Sequence, residues 1–322
     1  MMLRCALLDD YQGVARASAD WARLSGRVEI RVFREHIADR AALARALDGY
    51  EIIVAMRERT PFDRPLLEAL PALRLLVTTG HRNAAIDIAA ATGRGIAVCG
   101  TRGFPGPAAE LTWALILALV RKLPREVEAF HHGQWQTTIG RSLHGATLGV
   151  IGMGKLGTQV AAVGRAFGMK VIGWSRSLTV AQCDDLGIDY APTLPDVLRV
   201  ADVVTLHVTL NAQTRDLIGA RELALMKPDA VLVNTARGPI VTEAALVAAL
   251  REGRLAGAAL DVFDEEPLPA GHPFRTLDNV VATPHLGYVT RENYAMFYGD
   301  VVDDIEAWLG GRPLRVITGE SR

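Results

Sequence analysis

The sequence predicts an α/β protein built on parallel sheets, doubly wound with helices on both faces. Three observations predict it. Short apolar runs alternate with Ala- and Leu-rich helical stretches along the whole chain. The connections have helix length rather than hairpin length, which implies parallel strands covered on both faces. One apolar run opens into the glycine-rich turn "GVIGMGKLG" immediately before a helical segment.

The strands are expected in two sets. The first is "CALLD" (5–9), "VEIRVF" (28–33), "EIIVA" (51–55), "LRLLVTT" (73–79) and "IAVCG" (96–100). The second is "TLGVIG" (147–152), "KVIGW" (170–174), "DVVTLHV" (202–208), "AVLVNTA" (230–236), "GAALDVF" (257–263) and "NVVATPH" (279–285). Helices are expected between them, as in "DRAALARALDG" and "VTEAALVAALREG". In the latter, Thr242 reads as the N-cap and Gly253 as the C-terminal stop. A last helix is expected over about 290–309. The Gly/Pro-rich stretch "GTRGFPGP" (100–107) marks a seam, so the first hundred residues read as a separate α/β lobe.

A chain of 322 residues is long enough for about two domains, and 50% hydrophobic with 22% charged residues is ordinary for a folded enzyme-sized protein. The 35 basic and 36 acidic residues nearly cancel, which argues against nucleic acid or an anionic membrane as partner. Cys5, Cys99 and Cys183 are odd in number and far apart, as expected for partly buried free thiols in a reducing compartment. No metal site is expected. The most apolar run, "LTWALILALV" (111–120), is too short to span a bilayer and reads as a buried helix. The N-terminus turns acidic before a signal region develops, so a soluble, cytoplasmic protein is expected.

The turn Gly152, Met153, Gly154, Lys155, Leu156, Gly157 has the spacing G-x-G-x-x-G between a strand and a helix. Its first glycine permits a tight turn, its second a close approach of backbone to a pyrophosphate, and its third close packing of helix on strand. The helix start adds free N–H groups and a positive dipole end. An NAD site usually has an acidic residue at the end of the next strand, yet Thr158 through Cys183 contains no Asp or Glu. Ser175, Arg176 and Ser177 stand there instead. A carboxylate would repel a 2′-phosphate, whereas these residues can donate hydrogen bonds and positive charge to one. NADP(H) is therefore favoured, with NAD(H) the alternative.

Three further stretches fall at strand ends: "VNTARGPIV" (233–241), "ALDVFDEEPLP" (259–269) and "VVATPHLG" (280–287). Ligands of doubly wound sheets gather at those ends, so Arg237, Glu266 and His285 could converge there. With the glycine turn, "LHVTLNAQTRDLIG", "NTARG", "DVFDEEP" and "TPH" in this order, the chain resembles the D-isomer-specific 2-hydroxyacid dehydrogenases over nearly its whole length.

The resemblance implies a Rossmann dinucleotide-binding domain (103–286) inserted into a flavodoxin-like substrate domain (1–102 and 287–322). It also implies hydride transfer between a nicotinamide cofactor and C2 of a small 2-oxo or 2-hydroxy acid. A guanidinium such as Arg237 suits the substrate carboxylate and carbonyl. His285 suits proton transfer, and Glu266 would orient its ring and favour the imidazolium. By resemblance His207, Thr235, Ala236 and Asp261 line the cofactor, Asp261 near the nicotinamide amide. Gly80 and His81 in "TTGHRN" correspond to a loop whose N–H groups receive the substrate carboxylate.

"MRERT" (56–60) resembles the stretch where phosphoglycerate dehydrogenases of the family present arginines to a phosphate. Here Glu58 lies between Arg57 and Arg59, and Arg57 is expected to contact a polar end of the substrate. Glyoxylate/hydroxypyruvate reductase is the nearest named activity. A phosphoglycerate-dehydrogenase-like activity and a non-catalytic, cofactor-sensing corepressor are the alternatives. The helix at 107–121 and "HHGQW" (131–135) resemble the family's dimerisation region, which implies a homodimer.

Overall fold

The computed structural model describes residues 2–318. The chain divides into two compact units, Met1–Pro105 with Val289–Arg322, and Gly106–Tyr288.

The first unit is built on five parallel strands, β1 (Leu3–Leu7), β2 (Val28–Val32), β3 (Ile52–Ala55), β4 (Leu75–Thr78) and β5 (Ala97–Gly100), in the order β2-β1-β3-β4-β5. This is the flavodoxin-like order, whose topological switch falls between β1 and β3. β3 and β4 are buried along their whole length, which explains their unbroken apolar runs. The helix Arg291–Leu309 belongs to this unit and buries Tyr294, Phe297, Tyr298, Val301 and Ile305, a stripe at helical spacing. After it the chain pairs antiparallel with β5 through Val316 and Cys99.

The second unit holds seven parallel strands: β6 (Thr147–Ile151), β7 (Lys170–Trp174), β8 (Asp189–Tyr190), β9 (Val203–Leu206), β10 (Val231–Asn234), β11 (Gly257–Leu260) and β12 (Val280–Ala282). Their order, β12-β11-β10-β9-β6-β7-β8, is the Rossmann order with one strand added, and its switch falls between β6 and β9. The run "LTWALILALV" lies in the helix Pro107–Val120, which buries Trp113, Leu115, Ile116 and Val120. No helix among the described residues is long and apolar enough to cross a membrane.

All eleven expected strands form, and β8 is the addition. It has two residues and an acidic start, too little for an apolar run to register. Thr242 does stand at the N-cap of the helix Glu243–Arg251, but its hydroxyl donates to Asp216 Oδ1 at 3.0 Å and caps no helix N–H. Gly253 follows the end of that helix at φ +66°, a conformation that favours glycine. The three cysteines are free and buried, and the described residues contain no cluster that could hold a metal ion.

Candidate active site

In the second unit the glycine turn follows β6 at the switch point. Gly152 has φ +101°, and a Cβ there would lie 2.5 Å from the His207 carbonyl carbon. Its N–H donates to the Trp174 carbonyl at 2.8 Å, which fixes the end of β7 beside the turn. A Cβ on Gly157 would strike the carbonyl oxygen of Gly152, so the helix Lys155–Ala166 packs against the turn only with glycine there. Gly154 differs, because a Cβ there would meet no protein atom within 4 Å. The space beside Gly154 is open, and the helix behind it starts with no side-chain cap. A bare helix start facing open space fits a pyrophosphate, whose charge would meet unsatisfied N–H groups and the dipole. Met153 packs over Gly173 of β7 and Leu156 against the core, while Lys155 is exposed.

Ser175 stands directly after β7, half-buried, followed by exposed Arg176 and Ser177 in a turn closed by Leu178 N–H on the Ser175 carbonyl. Arg176 makes no ion pair among the described residues. His207 follows β9; its Nε2 lies 2.9 Å from Thr205 Oγ1, and its Nδ1 is buried without a protein partner. Burial pushes its pKa down to about 4, so the ring is neutral at working pH.

The "NTARG" segment is folded by Asn234 at the end of β10. Its amide accepts from Ala236 N–H at 3.0 Å and donates to the Arg237 carbonyl at 2.9 Å. Thr235 is buried with its hydroxyl 2.8 Å from Thr112 Oγ1. Thr112 spends its own proton on the Ala108 carbonyl, so Thr235 is the donor between them. Arg237 is half-buried and donates to the Ala236 carbonyl at 2.6 Å. A Cβ on the next residue, Gly238, would collide with the backbone of Phe263. The Arg237 segment thus lies directly against the loop that carries Glu266.

Glu266 accepts from Phe263 N–H at 2.9 Å through Oε1, while Oε2 lies 2.6 Å from His285 Nδ1. One carboxylate oxygen is therefore pinned to the loop and the other faces the imidazole. His285 has φ +54°, a left-handed conformation costing an L-residue about 1–2 kcal/mol. Asp261 holds this bend from both sides. It accepts from Thr283 Oγ1 at 2.6 Å, Leu286 N–H at 2.7 Å and Gly287 N–H at 2.9 Å. Burial pushes its carboxyl upward, against the hydrogen bonds it accepts. His285 packs edge-on to Tyr288, and its Nε2 has no protein partner among the described residues.

In the first unit Arg57 follows β3 at φ +51°, with its N–H on Thr79 Oγ1 at 2.9 Å and its carbonyl held by the Asn83 amide at 2.6 Å. Its guanidinium covers Gly80 and pairs with Glu58 at 3.6 Å. Arg59 turns to the Asp9 carbonyl and stacks 4.2 Å above the Tyr11 ring. Gly80 donates its N–H to Thr101 Oγ1 at 2.7 Å, which leaves that N–H no carboxylate to receive; His81 beside it is exposed. Asn234, Gly238 and Thr283 were not singled out from sequence. For Asn234 the signal was a turn-forming residue ending an apolar strand. For Gly238 and Thr283 nothing local shows what they will touch.

Residues 113–287 match the family model of the D-isomer specific 2-hydroxyacid dehydrogenase NAD-binding domain. A glyoxylate reductase of Aeropyrum pernix is 41% identical over 285 residues, 84% of this chain and 83% of that protein. A D-3-phosphoglycerate dehydrogenase of Methanocaldococcus jannaschii is 39% identical over 243 residues, 74% of this chain but only 46% of that longer protein. The crystal structure of a phosphoglycerate oxidoreductase from Vibrio cholerae superposes with a TM-score of 0.92 at 36% identity, covering 96% of this chain and all of that one. Sheet order, glycine turn and these likenesses agree: the chain belongs to the D-isomer specific 2-hydroxyacid dehydrogenase family and is an oxidoreductase dependent on a nicotinamide dinucleotide.

Proposed function

We propose that the enzyme interconverts a small 2-oxo acid and its D-2-hydroxy acid, with glyoxylate/hydroxypyruvate reductase the nearest activity and NADP(H) the favoured cofactor. The observation that carries this reading is the 2.6 Å contact between Glu266 and His285 Nδ1. With Nδ1 turned to the carboxylate, Nε2 is the atom that gives a proton to the substrate oxygen, and Glu266 holds the ring in that orientation. Arg237 receives the substrate carboxylate and polarises the carbonyl. The cofactor, when bound, supplies the hydride to C2. Gly152 to Gly157 cradle its pyrophosphate, His207, Thr235, Ala236 and Asp261 line it, and Ser175, Arg176 and Ser177 read its ribose. Met1–Pro105 with Val289–Arg322 serves as the substrate domain, in which Arg57, Gly80 and His81 meet the substrate. Gly80 acts there through its conformation, since its N–H is already engaged.

The test is a reductase screen of glyoxylate, hydroxypyruvate, pyruvate and phenylpyruvate with NADH and NADPH, on wild type and His285→Ala. Wild type reduces at least one acid. The variant binds cofactor normally, measured by fluorescence, and loses turnover by about 10²–10⁴-fold. Substantial turnover in His285→Ala would rule out its role as proton donor.

A further inference from the structure

The stretch "DEEP" puts three carboxylates, Asp264, Glu265 and Glu266, in succession on the connection between β11 and β12. Residues 264–267 are exposed and the like charges repel, so the stretch has no core of its own to hold it. Yet Glu266 is closely aimed, with one oxygen on His285 Nδ1 and the other on Phe263 N–H. What fixes the aim lies at the two ends of the loop. Phe263 and Phe274 are buried there with their rings 6.3 Å apart, and the Phe263 backbone rests on Gly238.

His272 stands two residues before Phe274, and its ring lies 4.8 Å from the Phe274 ring. Its Nδ1 accepts from Phe274 N–H at 3.2 Å, which assigns the ring proton to Nε2. Nε2 then donates to Glu243 Oε1 at 2.9 Å. Glu243 opens the helix Glu243–Arg251, where the dipole favours a carboxylate. The two side chains are mostly shielded, at 14% and 27% exposure, so water competes weakly for their hydrogen bond. Arg275 closes the same turn, donating to the Leu268 carbonyl at 2.6 Å and the Pro269 carbonyl at 2.9 Å. Contact therefore runs from Glu243 through His272 and Phe274 to Phe263, whose N–H holds Glu266.

We propose that His272, fastened to Glu243, is a positioning residue that keeps the Glu266 carboxylate aimed at His285. The inference rests on the reading of Glu266 and His285 as the proton-transferring pair. The experiment is a double-mutant cycle on the acid that wild type reduces fastest among glyoxylate, hydroxypyruvate, pyruvate and phenylpyruvate. His272→Ala and Glu243→Ala should each lower kcat about tenfold, less than the ~10²-fold that a 1 Å misplacement costs. Cofactor affinity, measured by fluorescence, should not change. In a Glu266→Ala background the same two substitutions should change kcat less than about twofold, because the group they aim is gone. Equal losses in both backgrounds would show a merely structural role and overturn the inference. So would an unchanged kcat in Glu243→Ala. The Glu243 arm decides the matter even where His272→Ala does not fold, since Glu243 is partly exposed at its helix start. A Glu266→Ala enzyme as fast as wild type removes the reading of the pair instead.

Discussion

On the proposed reading, Arg176 carries the choice between NADPH and NADH in one side chain. It is exposed just beyond the half-buried Ser175, and the Gly152–Trp174 hydrogen bond ties this strand end to the glycine turn. Replacing Arg176 by Ala should raise the KM for NADPH by about tenfold, the scale of one lost charge-assisted hydrogen bond, and leave that for NADH nearly unchanged. Equal effects on both cofactors would remove the assignment. Residues of this kind are legible in sequence, because a glycine spacing and an absent carboxylate are local facts. The contacts of Gly238 with Phe263 and of Asp261 with Thr283 are not local, since each joins segments more than twenty residues apart. Sequence therefore names His285 but does not reveal its left-handed bend or the carboxylate that holds it.

At the scale of elements, strand identity follows from apolar patterning and is correspondingly legible, while polar interiors are not. Within the apolar face of the helix Arg291–Leu309 sits Asp304, fully buried. Arg315 Nη2 lies 3.1 Å from its Oδ1 but donates to the Asp300 carbonyl instead, and neither Asp304 oxygen accepts a hydrogen bond. Burial pushes the carboxyl from 3.8 to about 7, with Arg315 opposing and Asp300 and Asp303 adding to the rise. A carboxyl raised in the folded state favours folding most below its unfolded pKa and loses that contribution as pH climbs through the folded value. The stability difference between wild type and Asp304→Asn should therefore shift against wild type from about pH 4 to about pH 7 and be flat above, on a scale of about 1.4 kcal/mol per pKa unit. Chemical denaturation across that range measures it, and a difference independent of pH would show that Asp304 does not titrate in the window.

For the whole molecule the question is what covers its exposed apolar surface. The most apolar segment, Pro107–Val120, is hydrophobic nearly all round, and that pattern buries it inside its own unit. The exposed cluster comes next in the chain, on the amphipathic helix Leu123–His131 and the segment after it. Phe130 is 63%, Trp135 77% and Ile139 89% exposed, and the rings of Phe130 and Trp135 lie 6.4 Å apart. Aromatic side chains grouped on a surface in this way mark an interface, and one patch repeated on identical chains can pair with itself about a two-fold axis. A second copy of this chain is the occupant we propose, in line with the homodimer that family resemblance implies. Phe130→Glu combined with Trp135→Ser should shift the sedimenting species from twice the chain mass to the chain mass at micromolar concentration. It should also lower the thermal midpoint and abolish that midpoint's dependence on protein concentration, because only an associating chain is stabilised by mass action. A wild type that sediments as a single chain across that range would refute the dimer, and the patch would then require a different partner.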